Sequence, residues 1–137
     1  DRLCDAWKGN FVVKGVLDVE DASRLQAAGV DGIIVSSHGG RQLDSVTPPI
    51  LALRDMRDAL GDVYPLFYDS GIRSGEDIVK AYAMGADYVF VGRALLFAMA
   101  ADGEAGLGRM VELMEKQVSI TLAQMGLSRM SDIPALK

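Results

Sequence analysis

A chain of 137 residues, half of them hydrophobic, carries enough apolar side chains to bury a core and lies outside the composition of disordered polymers. Its formal net charge of −5, from 14 basic and 19 acidic residues, disfavours nucleic acid and anionic lipid as partners, so small molecules are the expected ligands. A lone cysteine, Cys4, leaves no internal disulfide framework and no cysteine metal site, which suits a reducing cytoplasm.

Phe11-Val12-Val13-Lys14-Gly15-Val16 reads as a buried strand, and residues 19–28 as a helix with one apolar face that Gly29 ends. A second strand follows at once over residues 32–36. After a glycine-rich loop, Pro48-Pro49 opens a helix that runs through Leu60 and stops at Gly61. Residues 65–69 form the third strand, 76–84 the third helix with Gly85 as its stop, and 88–91 the fourth strand. A helix begins near Ala94, and a long amphipathic helix, roughly 107–125, precedes a polar tail. The longest apolar run, residues 94–101, falls well short of the roughly 20 residues that span a bilayer, and no signal-peptide pattern opens the chain, so membrane insertion is not expected.

Strand and helix alternate, which implies right-handed βαβ units and a parallel sheet. Sliding the chain by 56 positions superposes Gly15, Glu20, Asp21, Ala27, Gly29, Asp31 and Val35 on Gly71, Glu76, Asp77, Ala83, Gly85, Asp87 and Val91. Repetition of a βα block suits a (β/α)8 barrel better than an open doubly wound sheet. A full barrel takes about 250 residues, so these four βα units plus a C-terminal helix, over residues 1–137, correspond to half of one. Its strand edges need covering, which favours a homo-oligomer or a natural other half.

In such barrels the active site collects at the carboxyl ends of the strands. Lys14 follows the first strand here, the loop Ser36-Ser37-His38-Gly39-Gly40-Arg41-Gln42-Leu43-Asp44 the second, Asp69-Ser70-Gly71-Ile72-Arg73 the third, and Gly92-Arg93 the fourth. His38 is the only histidine. Histidine can act as a base at neutral pH, and the planar fork of arginine fits a carboxylate in bidentate fashion, so His38 with Arg41 is equipment for small-acid chemistry. Gly39 and Gly40 remove side chains where backbone and ligand come close. A plain surface turn, with His38 bonded to a carbonyl and Arg41 paired with Asp44, would use the same residues. The last two loops read as a phosphate site, where glycines expose N–H groups, Arg73 and Arg93 add forks, and a helix start points at the anion.

Lys14 needs an anionic partner, because an unpaired ammonium is costly to bury. Asp69 or the electron-rich ring of a cofactor could serve. Glu20, Asp21, Glu76 and Asp77 sit at helix starts and complement helix dipoles. Trp7, Tyr64, Tyr82 and the seven methionines read as core or interface packing. No metal-ligand cluster stands out.

Over residues 3–133 the chain resembles the carboxyl-terminal half of the FMN-dependent L-2-hydroxy acid oxidases and dehydrogenases, which include glycolate oxidase, L-lactate dehydrogenase, mandelate dehydrogenase and flavocytochrome b2. Val13-Lys14-Gly15 resembles the strand-five lysine motif, the Ser36 to Asp44 run the strand-six signature, Asp69-Ser70-Gly71-Ile72-Arg73 strand seven, and Gly92-Arg93 strand eight. The resemblance implies that His38 is the general base and that Arg41 grips the carboxylate of an L-2-hydroxy acid. It further implies that Lys14 lies near the flavin N1 and O2, that Ser36 contacts the flavin, and that the Asp69 to Arg73 loop with Gly92 and Arg93 holds the FMN phosphate. Ser37 stands where the family usually has asparagine, so hydrogen bonding beside His38 differs. The missing amino-terminal half would supply further flavin contacts, a second substrate arginine, and the segment by which membrane-associated members attach peripherally. The competing readings are another FMN barrel, such as type 2 isopentenyl diphosphate isomerase or the glutamate synthase domain, and a self-associating half-barrel that at most binds FMN or phosphate.

Overall fold

The computed structural model describes residues 2–134. Four strands, β1 (Val12–Val16), β2 (Gly32–Val35), β3 (Leu66–Tyr68) and β4 (Tyr88–Val89), form one parallel sheet in the order β1-β2-β3-β4. α1 (Arg2–Ala6) precedes the sheet, α2 (Val19–Ala27), α3 (Pro49–Leu60) and α4 (Gly75–Ala83) are the crossovers, and α5 (Arg93–Gln124) follows it. Each connection steps to the next strand in the same direction. Right-handed crossovers taken always in one direction put every helix on one face, whereas a doubly wound sheet reverses direction to cover both. The architecture is therefore that of a (β/α)8-barrel segment, and it bears out the βα alternation read from the sequence.

The 56-residue repeat is structural at its turns. Asp18 caps α2 by accepting from the N–H of Asp21, and its repeat partner Ser74 caps α4 in a reciprocal capping box with Asp77. The acidic residues of both first turns complement the helix dipole as expected. At the amino ends of β2 and β4, Asp31 accepts from the N–H of Phe11 at 2.7 Å and Asp87 from that of Leu66 at 2.8 Å. Arg57 of α3 ties this end together, donating to the carbonyls of Gly61, Tyr64 and Gly85 and to Asp87.

Period-two burial divides the sheet. Ile33 and Val35 of β2 and Leu66 and Tyr68 of β3 are buried against Leu53, Met56 and Leu60 of α3 and Ala22 of α2. Fully burying a side chain of this size stabilises by about 1.5–3 kcal/mol. The alternate row, Lys14, Ile34, Phe67 and Tyr88 in parallel register, belongs to the other face. Lys14 thus lies within β1 and does not follow it, because β1 continues through a bulge between Lys14 and Val16.

Three further expectations need correction. The last helical region is one element broken at Asp102 and Gly103, whose φ/ψ values of −152°/34° and 53°/−135° leave the helical basin; its second arm starts before residue 107. Trp7 is 60% exposed, with its indole N–H donated to the carbonyl of Asn10, so of the core or interface packing expected for it the core is excluded among the described residues. Met56 and Met114 are buried, but Met99 and Met125 are exposed.

Candidate active site

The chemistry-bearing residues converge at the carboxyl end of the sheet. A cavity of about 520 Å³ is lined by Lys14, His38, Arg41, Asp69, Ser70, Gly71, Ile72, Arg73, Gly92 and Arg93, residues contributed by or following all four strands. Gly39, Gln42, Ile34, Phe90, Val91 and Leu96 complete it; Gly39 and Gln42 belong to the His38 loop read from sequence, whereas Ile34 and Phe90 carry only a strand-alternation signal. Four basic side chains and one carboxylate line this cavity, although the chain as a whole is acidic. Field lines from unpaired cations focus in such a concavity and favour anions.

The one carboxylate is already engaged. Lys14 Nζ lies 2.7 Å from Asp69 Oδ2 and donates to Ser36 Oγ at 2.8 Å, and Ser36 Oγ donates to Asp69 Oδ1 at 2.5 Å. Burial alone would raise the Asp69 pKa. Hydrogen bonds from Lys14, Ser36 and Ser70, with the charge of Lys14, outweigh it and hold Asp69 below the ordinary carboxylate range. Of the two partners open to Lys14 from sequence, Asp69 is the one in contact. Ser36 is 1% exposed and does not line the cavity; its hydroxyl supports Lys14 and Asp69 and also accepts from the His38 N–H at 3.0 Å. The Ser36 hydroxyl is thus engaged by the Lys14 ammonium, the Asp69 carboxylate and the His38 N–H.

His38, Gly39 and Gly40 form one turn of 310 helix in which all three residues have positive φ, 54°, 68° and 78°. The exposed His38 side chain makes no hydrogen bond to protein, and neither Arg41, Arg73 nor Arg93 forms an ion pair, among the described residues. The ordinary surface-turn arrangement, with Arg41 on Asp44, is not adopted. The space kept by Gly39 is occupied by Arg93, whose Nη2 would stand 3.2 Å from a Cβ there. Arg73 lies 5.7 Å over the ring of Phe97. Gly92 starts α5 with no side-chain cap, so first-turn N–H groups remain available beside the two arginines.

Gly15 positions the imidazole. It sits at the β1 bulge with φ 96°, and a Cβ on it would come 2.5 Å from His38 Cε1. The ring therefore rests on backbone that only glycine leaves bare. Gly15→Ala is expected to destabilise by about 2 kcal/mol, combining a left-handed alanine with displacement of the ring. It should also shift the NMR signals of His38, the only histidine of the chain. Unchanged melting temperature and ring signals would mean that the imidazole is held elsewhere.

Comparison with known proteins places this geometry. The model of the family described as FMN-dependent dehydrogenase matches residues 1–136. An L-lactate dehydrogenase of Caulobacter vibrioides is 46% identical over 129 residues, 94% of this chain and 34% of that protein. The L-lactate dehydrogenase of Serratia proteamaculans is 43% identical over 135 residues, 98% of this chain and 36% of that protein. Among solved structures, an active mutant of (S)-mandelate dehydrogenase superposes with a TM-score of 0.91 at 43% identity, covering 97% of this chain and 37% of that one. A mandelate oxidase with (S)-4-hydroxymandelic acid gives 0.91 at 38% identity, over 99% of this chain and 38% of that one. The chain spans about a third of the length of the curated relatives it matches.

Proposed function

Because the chain belongs to the FMN-dependent dehydrogenase family, we propose that it is the carboxyl-terminal part, strands five to eight, of a (β/α)8 enzyme. In this reading the enzyme oxidises an L-2-hydroxy acid of the lactate, mandelate or glycolate type to the 2-oxo acid. One observation carries it: His38 and the guanidiniums of Arg41, Arg73 and Arg93, none ion-paired among the described residues, line one cavity. An unpaired arginine beside a hydrogen-bond-free imidazole suits a substrate that is both an anion and a proton source.

The residues present fit FMN. Arg73, Arg93 and the uncapped start of α5 suit its phosphate, and nothing stands within 4 Å of where a Cβ on Gly71 or Gly92 would be, so backbone there is open to a ligand. Lys14, fixed by Ser36 and Asp69, supplies positive charge that favours an anionic reduced ring. When bound, FMN supplies the two-electron acceptor that the side chains lack. Oxidation of the hydroxy acid removes two electrons and two protons. His38 would take one proton on its imidazole while Arg41 holds the carboxylate still; the two electrons and the other proton are also lost by the substrate, as a hydride or by way of a carbanion.

The open edges of β1 and β4 are assigned to the remaining strands of the barrel, and self-association of this segment is the competing arrangement that size-exclusion chromatography distinguishes. No described helix is long and apolar enough to cross a membrane, while a solved (S)-mandelate dehydrogenase relative is a monotopic membrane protein. A cytoplasmic barrel whose membrane attachment, as in that relative, is peripheral belongs to the same proposal.

The test uses the enzyme that carries this segment within its whole barrel. Anaerobic addition of L-lactate or L-mandelate is expected to bleach the visible band of the bound flavin. A bound flavin that stays oxidised with every L-2-hydroxy acid offered overturns the reading.

A further inference from the structure

Ser70 was read from sequence as part of the phosphate loop, but its side chain is directed to the neighbouring loop. Its Oγ accepts from the N–H of Ser37 at 3.1 Å, from Ser37 Oγ at 3.1 Å and, more weakly, from the N–H of Gly39 at 3.4 Å. It donates to Asp69 Oδ1 at 2.8 Å. A hydroxyl has two lone pairs and one proton, so the two 3.1 Å bonds from Ser37 and the bond to the carboxylate that holds Lys14 already use it in full, and the 3.4 Å approach of the Gly39 N–H only shares a lone pair. These partners are 33, 31 and 1 residues away in the chain, so the bonds join the β2 loop to the β3 loop.

The backbone at Ser70 is also unusual. Its φ of 86° lies in the left-handed region, which serine enters only at a cost. The Tyr68 hydroxyl donates to the Ser70 carbonyl at 2.9 Å and helps to hold this conformation. The strain has a structural return, since it aims Oγ at the turn containing the imidazole. Ser37 contributes both an N–H and a hydroxyl to the same atom.

We propose that Ser70 is a positioning residue that acts through the His38 turn: its hydroxyl locks that turn to β3 and so fixes where the base points. The proposal rests on the reading of His38 as the base.

The test compares Ser70→Gly and Ser70→Ala in the complete, FMN-loaded enzyme. Glycine is at ease at this φ, so Ser70→Gly removes the hydroxyl without adding backbone strain, and Ser70→Ala controls for the change in flexibility. In both variants turnover per bound flavin should fall about tenfold, with a smaller change in KM. Amide exchange over residues 37–40 should accelerate about tenfold, while other segments keep their protection. Turnover within about twofold of the parent, or unchanged exchange over residues 37–40, overturns the proposal. So does accelerated exchange throughout the molecule, which would make the hydroxyl a general stabiliser. His38→Gln run alongside separates the two levels. Near-normal turnover in that variant removes the underlying reading, whereas a dead His38→Gln with a fully active Ser70→Gly removes only the role of Ser70.

Discussion

His38→Gln in the complete enzyme is expected to lower kcat by about 10³-fold while FMN stays bound and the melting temperature stays near that of the parent. Glutamine is close in size to histidine and hydrogen-bonds, but its amide cannot accept the substrate proton; general acid–base catalysis is typically worth about 10²–10⁴-fold. The structure allows so selective a loss. His38 is exposed, makes no side-chain hydrogen bond among the described residues and rests against the bare backbone of Gly15, so its replacement orphans no buried partner. Steady-state rates normalised to flavin absorbance give the result. Turnover within tenfold of the parent would place the base elsewhere.

Arg41→Lys is expected to lower kcat/KM by about 10²-fold, with KM raised and kcat reduced together. Lysine keeps the charge but replaces a planar two-pronged donor with a single point, losing the bidentate contact that fixes both distance and angle of a carboxylate. Arg41 forms no ion pair among the described residues, so the change breaks no protein contact of that kind and its effect should fall on ligand binding. A loss confined to KM would mean that Arg41 binds substrate and transition state equally; an unchanged kcat/KM would move the carboxylate clamp to Arg73 or Arg93. The same measurement on a neutral analogue of the substrate should show almost no difference between lysine and arginine.

Much of this site is legible in sequence because the positions concerned are set by local rules. Gly29, Gly61 and Gly85 stop helices where they were expected, each with positive φ or at a helix end, and Pro49 opens α3. Those signals place each loop after its strand, and barrel topology then gathers the loops. β1 and β4 are shorter than their apolar runs: β1 begins at Val12, and β4 ends at Val89 although the Phe90 N–H still donates to the Tyr68 carbonyl before the chain enters α5. The exposure of Trp7 and of Met99 was unreadable for a related reason, since an aromatic or methionine side chain is apolar whether or not anything packs on it.

Composition, periodicity and turn chemistry by themselves determined the βα order and the set of strand-end residues, because each depends on neighbours a few positions apart, and the 56-residue repeat follows from matching residue types along the chain. Only the tertiary structure decided what those residues do to one another. Lys14 lies within β1 and meets Ser36 and Asp69; Gly15 bears the His38 ring; Ser70 joins two loops; and Arg41, Arg73 and Arg93 share a cavity without a carboxylate partner among the described residues. Such contacts join residues 22 and 33 positions apart, as in Lys14 to Ser36 and Ser36 to Asp69, and strand register brings them within hydrogen-bond range. A shift of register by one residue would turn Lys14 to the other face of the sheet, and that choice is made by packing of the helices on the sheet as a whole.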